Sequence, residues 1–327
     1  MKSPQGWGTY DWISRNRLWL CAVCRAAPRT MDRFRFRDWL IALLLPVSAI
    51  LVTRHLPPWA FMWGTAFGLG AALKWLCWVD ARIHGARPSP SRALGWFVGW
   101  AGLDGRAFLT DHIRPPRPGI MEWVTASLPV LVGFGLVVGA FPALFPAHPI
   151  LAVWVGMIGF AGLFHFGVIR LIALGWRTLG INAQPIMRAP LLSTSLAEFW
   201  GRRWNLAFST PARRFLFLPV GRQWGNGPAM LLVFLGSGLL HELVISLPAG
   251  AGYGRPTAYF LIQAAGVAFE RTPAARRIGL PGRTGGWLYA AVWLIVPLPL
   301  LFPVCFLNSV MTPFLHVLAA LFTGGFR

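Results

Sequence analysis

Apolar stretches recur along this chain at about 38–53, 59–79, 120–141, 150–169, 228–247, 257–270, 286–303 and 308–323. Several run 16 to 22 residues with hardly a charge, enough to cross a hydrocarbon layer of about 30 Å as a helix. A segment in that medium must bond its own backbone N–H and C=O groups, which a helix does. The expected fold is therefore all-α and integral to the membrane. About eight transmembrane helices form one polytopic domain over residues 38–323. The first and sixth stretches are short, and the first contains Pro46.

The loops carry the charge. Only 12% of residues are charged, against about 25% in soluble domains, yet the net charge is +20 from 30 basic and 10 acidic residues. With residue 1 in the cytoplasm, the inner segments hold 27 of the 30 Lys and Arg. The outer turns hold Arg54 and Arg255, and Lys74 falls within a span. This split follows the positive-inside rule and puts both termini on the cytoplasmic side. It also explains the high isoelectric point without invoking nucleic acid. Basic loops at a membrane face attract anionic headgroups or a phosphorylated cofactor.

Residues 1–37 read as a basic, cytoplasmic extension, disordered in part, and residues 324–327 as a short tail. Leu18 to Cys24 is apolar for only seven residues and no small-residue cleavage site follows, so a cleaved signal peptide is not expected. Cys21 and Cys24 form a lone CxxC, which without a second pair defines neither a metal nor a redox site. Cys77 and Cys305 fall in apolar spans.

The two long inner segments, 80–119 and 170–227, contain apolar pieces too short to cross and read as amphipathic or re-entrant helices. In the second, Ser193, Thr194 or Ser195 offers a helix start, with Glu198 placed roughly as in a capping box. Phe199-Trp200-Gly201-Arg202-Arg203-Trp204-Asn205 follows. At about 100° per residue, Trp200 and Trp204 share a face and Arg202 lies nearly opposite. The block suits the mouth of a pocket for an anionic, partly apolar ligand. It equally suits an interfacial helix with Trp anchors and snorkelling Arg.

His241-Glu242 follows 36 positions later, inside the apolar stretch Met230 to Pro248. An ionisable pair at such depth usually marks a site. A neutral imidazole there can act as general base on a hydroxyl; the plain alternative is a His bonded to a neighbouring helix. Gly236, Ser237 and Gly238 just before it suggest close packing or room for a ligand. His165 and His316 lack a carboxylate neighbour and read as structural, and Lys74 as snorkelling. There is no phosphate loop, no GxSxG and no HExxH, and no second His or Cys stands near His241 at ligand spacing. No metal site is expected.

The block Phe199-Trp200-Gly201-Arg202-Arg203-Trp204-Asn205 resembles that of wax synthases in the membrane-bound O-acyltransferase superfamily. Ser237-Gly238-Leu239-Leu240-His241-Glu242 is similar to the segment carrying that family's catalytic His. Trp100-Ala101-Gly102-Leu103-Asp104 is similar to an element of bacterial wax-synthase-like proteins, with Ala101 in place of Pro. The likeness covers residues 38–323, and its specific part is 193–247. Sterol and diacylglycerol acyltransferases end the block in Asp-Trp-Trp-Asn, where this chain has Arg202, Arg203, Trp204 and Asn205.

The resemblance implies a multi-span fold enclosing a tunnel and acyl transfer from acyl-CoA, a co-substrate rather than a bound cofactor, to a long-chain or lipophilic alcohol. His241 would be the base, and Asn205 would orient it or stabilise developing charge. Phe199, Trp200, Arg202, Arg203, Trp204, Ser237 and Glu242 would bind substrate. Arg202, Arg203, Arg213 and Arg214 stand where CoA phosphates approach, or serve as topology determinants. The partners expected are acyl-CoA, a hydroxyl acceptor and membrane lipids, in a bacterial inner membrane. Two alternatives stand beside this reading: short-acyl transfer to a polar or natural-product hydroxyl, and a non-catalytic lipid transporter or lipid-binding protein.

Overall fold

The computed structural model describes residues 33–110, 114–277, 280 and 282–324, and every regular element among them is a helix. The CxxC at 21–24 and most of the N-terminal extension lie outside the described residues, as do residues 325–327. Helices occupy all eight predicted stretches: α1 (Phe36–Thr53), α2 (Pro58–Ile83), α5 (Ile120–Leu144), α6 (Pro149–Thr178), α10 (Asn226–Ala249), α11 (Arg255–Phe269), α13 (Arg283–Leu301) and α14 (Val304–Thr323). Between them lie the short helices α3 (Pro90–Val98), α4 (Gly105–Leu109), α7 (Leu196–Glu198), α8 (Leu206–Pro211), α9 (Leu218–Trp224) and α12 (Pro273–Arg277).

Six of the long helices are long and apolar enough to cross a membrane: α1, α5, α6, α10, α13 and α14. The protein is a multi-pass membrane protein. Helix α2 has the length but carries Lys74, Asp80 and Arg82 in its second half, and α11 has only 15 residues. Large apolar side chains such as Leu43, Val52, Leu131 and Ile158 point outward, which costs nothing against lipid tails as apolar as Leu.

Glycines set how closely the helices approach. A Cβ on Gly68 of α2 would come within 2.5 Å of Ala49 Cβ on α1, so only glycine admits this contact. At the crossing of α10 and α11, a Cβ on Gly238 would fall 2.8 Å from Thr257 Cα. Small residues at such crossings let backbones pack where no hydrophobic effect drives helices together.

Two apolar clusters organise the interior. The larger lies among the long helices and includes Phe141, Leu196, Phe234, Phe260, Leu307 and Leu315. The smaller sits against the second half of α2 and includes Trp96, Trp100, Phe108, Leu109, Ala173 and Ile186. Helices α3 and α4 belong to the smaller one, so segment 80–119 forms short packed helices that do not cross. Lys74 is drawn into it: its Nζ donates to Trp96 O (2.7 Å) and Gly102 O (3.2 Å) and lies 4.0 Å from the Trp96 ring centroid. That is a tether between α2 and the 96–102 turn rather than snorkelling.

Several helices contain π-helical turns, among them Gly162–Val168, Phe199–Arg203, Ala212–Phe217 and Glu242–Ser246. Such turns accommodate an extra residue within a helix and are often found at functional sites. Two of them coincide with the aromatic-basic block and with the residue after His241.

Candidate active site

The block begins where Ser195 caps α7. The Glu198 N–H donates to Ser195 Oγ (3.0 Å), and Glu198 Oε2 accepts from the Thr194 N–H (2.8 Å) and hydroxyl (3.0 Å). The next two backbone donors of this turn are met from elsewhere: Leu196 N–H and Ala197 N–H donate to the Glu270 carboxylate at 2.9 and 2.7 Å. Glu270, at the end of α11, thus joins this segment to the helix that packs on His241. A carboxylate at a helix N-terminus satisfies orphan donors. Burial pushes the Glu198 carboxyl up, but the Thr194 N–H, the Arg203 guanidinium and the Thr194 hydroxyl outweigh it and hold the group below its ordinary value.

The block is not one continuous α-helix. It winds as a π turn from Phe199 to Arg203, Trp204 is extended (φ −95°, ψ 131°), and Asn205 is left-handed (φ 42°). Trp200 and Trp204 therefore part company instead of sharing a face. Trp200 packs in the larger cluster against Phe234 and Phe260, with ring centroids 6.0 and 5.6 Å away. Trp204 stacks on Phe199 at 5.3 Å and reaches Phe166 in the smaller cluster. The block is the seam between the two cores.

The two arginines also diverge. Arg203 turns into the fold, pairing with Glu198 at 2.7 Å and donating to Arg188 O and Ala189 O. Arg202 lines an open cleft of about 490 Å³, with Trp100, Asp104, Arg188, Ser209 and Arg213 among its other walls. Arg214 stands outside the cleft lining. It binds Asp80 at 2.7 Å and faces Asp104 at 3.6 Å. Asp80, fully buried, also takes a two-bond contact from Arg106 (2.7 and 2.8 Å) and faces His84. Asp104 caps α4 through the Ala107 N–H, which places the Trp100–Asp104 element in the cleft wall.

His241 ends the α-helical part of α10, half-buried, with its ring centroid 4.5 Å from that of Phe260. Its Nδ1 lies 2.7 Å from Ser237 O one turn earlier. A carbonyl can only accept, so in the neutral ring Nδ1 carries the proton and Nε2 keeps its lone pair. Ser237 contributes this backbone oxygen; its hydroxyl donates to Val233 O. Glu242 Oε1 accepts from the Gly254 N–H, the Thr257 N–H and the Thr257 hydroxyl. These bonds cap α11.

Asn205 and His241 share no hydrogen bond among the described residues. Asn205 Oδ1 accepts from the Phe208 N–H (3.3 Å), and its own N–H donates to Met187 Sδ (3.3 Å). The block and His241 communicate instead through Phe260, which touches both Trp200 and His241. Trp200 Nε1 also donates to Gln263 (3.3 Å), a fully buried residue whose amide donates to Trp293 O. Gln263, Glu270 and Phe260 escaped the sequence reading, although Gln263 inside Tyr259-Phe260-Leu261-Ile262-Gln263 is the kind of polar intrusion that singled out His241. Among the described residues no cluster of three or more His, Cys, Asp or Glu side chains is arranged to hold a metal ion.

Fold and site together define a polytopic helical membrane protein whose basic cleft adjoins a segment packed, through Phe260, on a histidine of a helix long and apolar enough to cross a membrane. Residues 183–262, from the cleft wall through His241 to Phe260, match the Membrane bound O-acyl transferase family. The chain is 34% identical over 139 residues to the long-chain-alcohol O-fatty-acyltransferase of Simmondsia chinensis, covering 34% of this chain and 39% of that protein. It is 33% identical over 136 residues to the probable long-chain-alcohol O-fatty-acyltransferase 7 of Arabidopsis thaliana, covering 34% and 40%. The probable enzyme 9 of the same plant is 42% identical over 74 residues, covering 20% and 22%. The matched stretch thus spans about two fifths of the length of the first two relatives.

Proposed function

We propose that the protein is an integral-membrane O-acyltransferase that moves an acyl group from acyl-CoA to the hydroxyl of a long-chain or lipophilic alcohol, with His241 as general base. The observation that carries the reading is the Nδ1 contact of His241 with Ser237 O, within a segment that matches an O-acyltransferase family. It leaves Nε2 as the proton acceptor. In the reaction, Nε2 takes the alcohol proton as the oxygen attacks the thioester carbonyl. The C–O bond forms, the C–S bond breaks, and the departing thiolate recovers the proton from the imidazolium.

The thioester is already activated, so a positioned base and exclusion of water supply most of what is needed; general base catalysis contributes about 10² to 10⁴ in rate. The Phe260 ring fixes the imidazole plane. Asn205 uses its oxygen on the Phe208 N–H, which leaves its amide NH₂ as the end that donates to developing negative charge. Arg188, Arg202 and Arg213 in the cleft suit the phosphates of CoA, and the cleft volume falls within the range of roughly 300–1,000 Å³ common for ligand sites. On this reading the cleft faces the cytoplasm, as the charge partition expects, and the oily acceptor arrives from the membrane.

The test uses purified protein, radiolabelled acyl-CoA and a panel of long-chain alcohols. Ester formation that His241→Ala abolishes, in a variant that still folds, supports the assignment. Near wild-type turnover in that variant removes His241 as the base. Saturable acyl-CoA binding without ester from any alcohol indicates a lipid-binding protein instead.

A further inference from the structure

Helix α11, which packs on His241 through Phe260, is fastened at both ends by carboxylates. At its start, Glu242, the residue after His241, accepts the N–H groups of Gly254 and Thr257. At its end, Glu270 accepts the N–H groups of Leu196 and Ala197 at 2.9 and 2.7 Å, from 74 and 73 positions earlier in the chain. Both carboxylates bond backbone donors, which cannot swing away as a side chain can. The helix is thus a strut between the turn that carries the histidine and the turn that opens the aromatic-basic block.

One face of the strut carries the block. Phe260, Gln263, Gly266 and Glu270 follow one another at spacings of three and four, which at about 100° per residue puts them on the same side. Phe260 packs on Trp200, Gln263 accepts from Trp200 Nε1 at 3.3 Å, and a Cβ on Gly266 would stand 2.6 Å from Cδ1 of the fully buried Leu196. Of the four, Glu270 alone holds the backbone of the segment. The start of α13 closes the other side: Trp287 Nε1 donates to Leu191 O (2.8 Å), and a Cβ on Gly286 would collide with Thr194 O. The cleft travels with this segment, since Gly201, Arg202 and Arg213 are among its walls, whereas His241 stands on α10. A shift of the segment along α11 therefore moves whatever the cleft holds relative to the imidazole.

We propose that Glu270 is a positioning residue for the acyl transfer: by holding the Leu196 and Ala197 N–H groups to the end of α11, it sets where a donor held in the cleft stands relative to His241. The proposal rests on the acyltransferase reading and adds to it a residue that governs turnover through the backbone it fastens. Donor affinity belongs to the cleft walls and rate to their register with the base, so the two respond differently when the tether is cut.

The experiment compares Glu270→Ala, which removes both acceptors, with Glu270→Gln, which keeps one acceptor oxygen and replaces the other by a donor. Ester formation from acyl-CoA and hexadecanol is measured in detergent, with rates expressed per folded molecule and melting temperature as the folding control. A misplacement of about 1 Å can cost on the order of 10²-fold in rate. Glu270→Ala is expected to lower kcat about tenfold, a part of that range, with KM for acyl-CoA within about twofold of wild type, and Glu270→Gln to recover part of the loss. A merely structural role would lower the melting temperature and leave kcat per folded molecule unchanged, which overturns the proposal. A raised KM with unchanged kcat overturns it too, because the damage then lies in the cleft. Should Glu270→Ala not fold, Glu270→Gln and Gly266→Ala, which pushes Leu196 off the same face, carry the comparison; unchanged kcat in both overturns the proposal. If the wild type makes no ester, the acyltransferase reading fails separately, and hydrogen exchange decides on the tether. Faster exchange of residues 194–205 in Glu270→Gln supports it, and protection equal to wild type overturns it.

Discussion

The ring of His241 rests on that of Phe260, centroids 4.5 Å apart and planes inclined at 45°. Phe260 carries Trp200 on another side, so one side chain links the aromatic-basic block to the histidine. Replacing Phe260 with Leu frees the imidazole to rotate about its remaining bond to Ser237 O. A misplacement of about 1 Å can cost on the order of 10²-fold in rate. The expected outcome is a kcat lower by about that factor with little change in donor KM, measured by ester formation, while Phe260→Tyr keeps most of the activity.

Ser237 supplies a backbone carbonyl to His241 and spends its hydroxyl on Val233 O. Ser237→Ala therefore leaves the tautomer of His241 in place. It also removes a hydroxyl back-bond of a kind that slightly destabilises helices. Turnover is expected near wild type with unchanged or higher thermal stability. A large loss of kcat would show that the hydroxyl itself meets substrate.

Much of this molecule was legible as a pattern of apolar length and loop charge. All eight stretches are helices, because in hydrocarbon the helix is the local solution to backbone bonding. The two that fail the length or apolarity of a membrane span do so for local reasons: α2 carries Lys74 and Asp80 into the smaller core, and α11 stops at Phe269 where Glu270 turns back to cap α7. The face argument for Trp200 and Trp204 failed because it assumed 100° per residue. The π turn and the left-handed Asn205 send the two rings into different cores, and a period cannot report that. Phe260, Gln263 and Glu270 act across 60 to 75 positions of sequence, where spacing carries no signal.

Arg202 and Arg203 are adjacent but do different work. Arg203→Ala strands Glu198 Oε1 and two backbone carbonyls, so its main effect is on folding, read as a lower melting temperature. Arg202→Ala alters a cleft wall. If the cleft holds the phosphates of acyl-CoA as proposed, it is expected to raise donor KM several-fold with kcat nearly unchanged, and that KM effect is expected to shrink as salt screens the contact.

Glu198 gives the segment a pH signature. Its native pKa lies below the ordinary value of about 4.3, so the ionised form is favoured by folding. The stability it carries is complete above that ordinary value and is lost as pH falls through the lower native one. Acidification below about pH 4 is therefore expected to lower the melting temperature more steeply in wild type than in Glu198→Gln. Equal slopes would show that the Thr194 and Arg203 contacts do not persist in solution.

Gly238 offers the sharpest separation of packing from chemistry. A Cβ there would stand 2.8 Å from Thr257 Cα, a backbone atom that cannot swing aside. Gly238→Ala must therefore part α10 from α11 at the crossing that holds Glu242 on the Thr257 and Gly254 amides and His241 on Phe260. A displacement of a few tenths of an ångström leaves the helices in the membrane but moves the imidazole relative to both partners. Overpacking of this kind costs typically about 1–3 kcal/mol of stability, and since a misplacement of about 1 Å can cost on the order of 10²-fold, the smaller shift of the imidazole is expected to lower kcat by less than that factor. Thr257→Gly removes the side-chain part of the clash and restores some activity only if the strain is spread over Cβ and Cγ2, at 3.3 Å each. Retention of full turnover by Gly238→Ala would mean that the close crossing is not what positions His241.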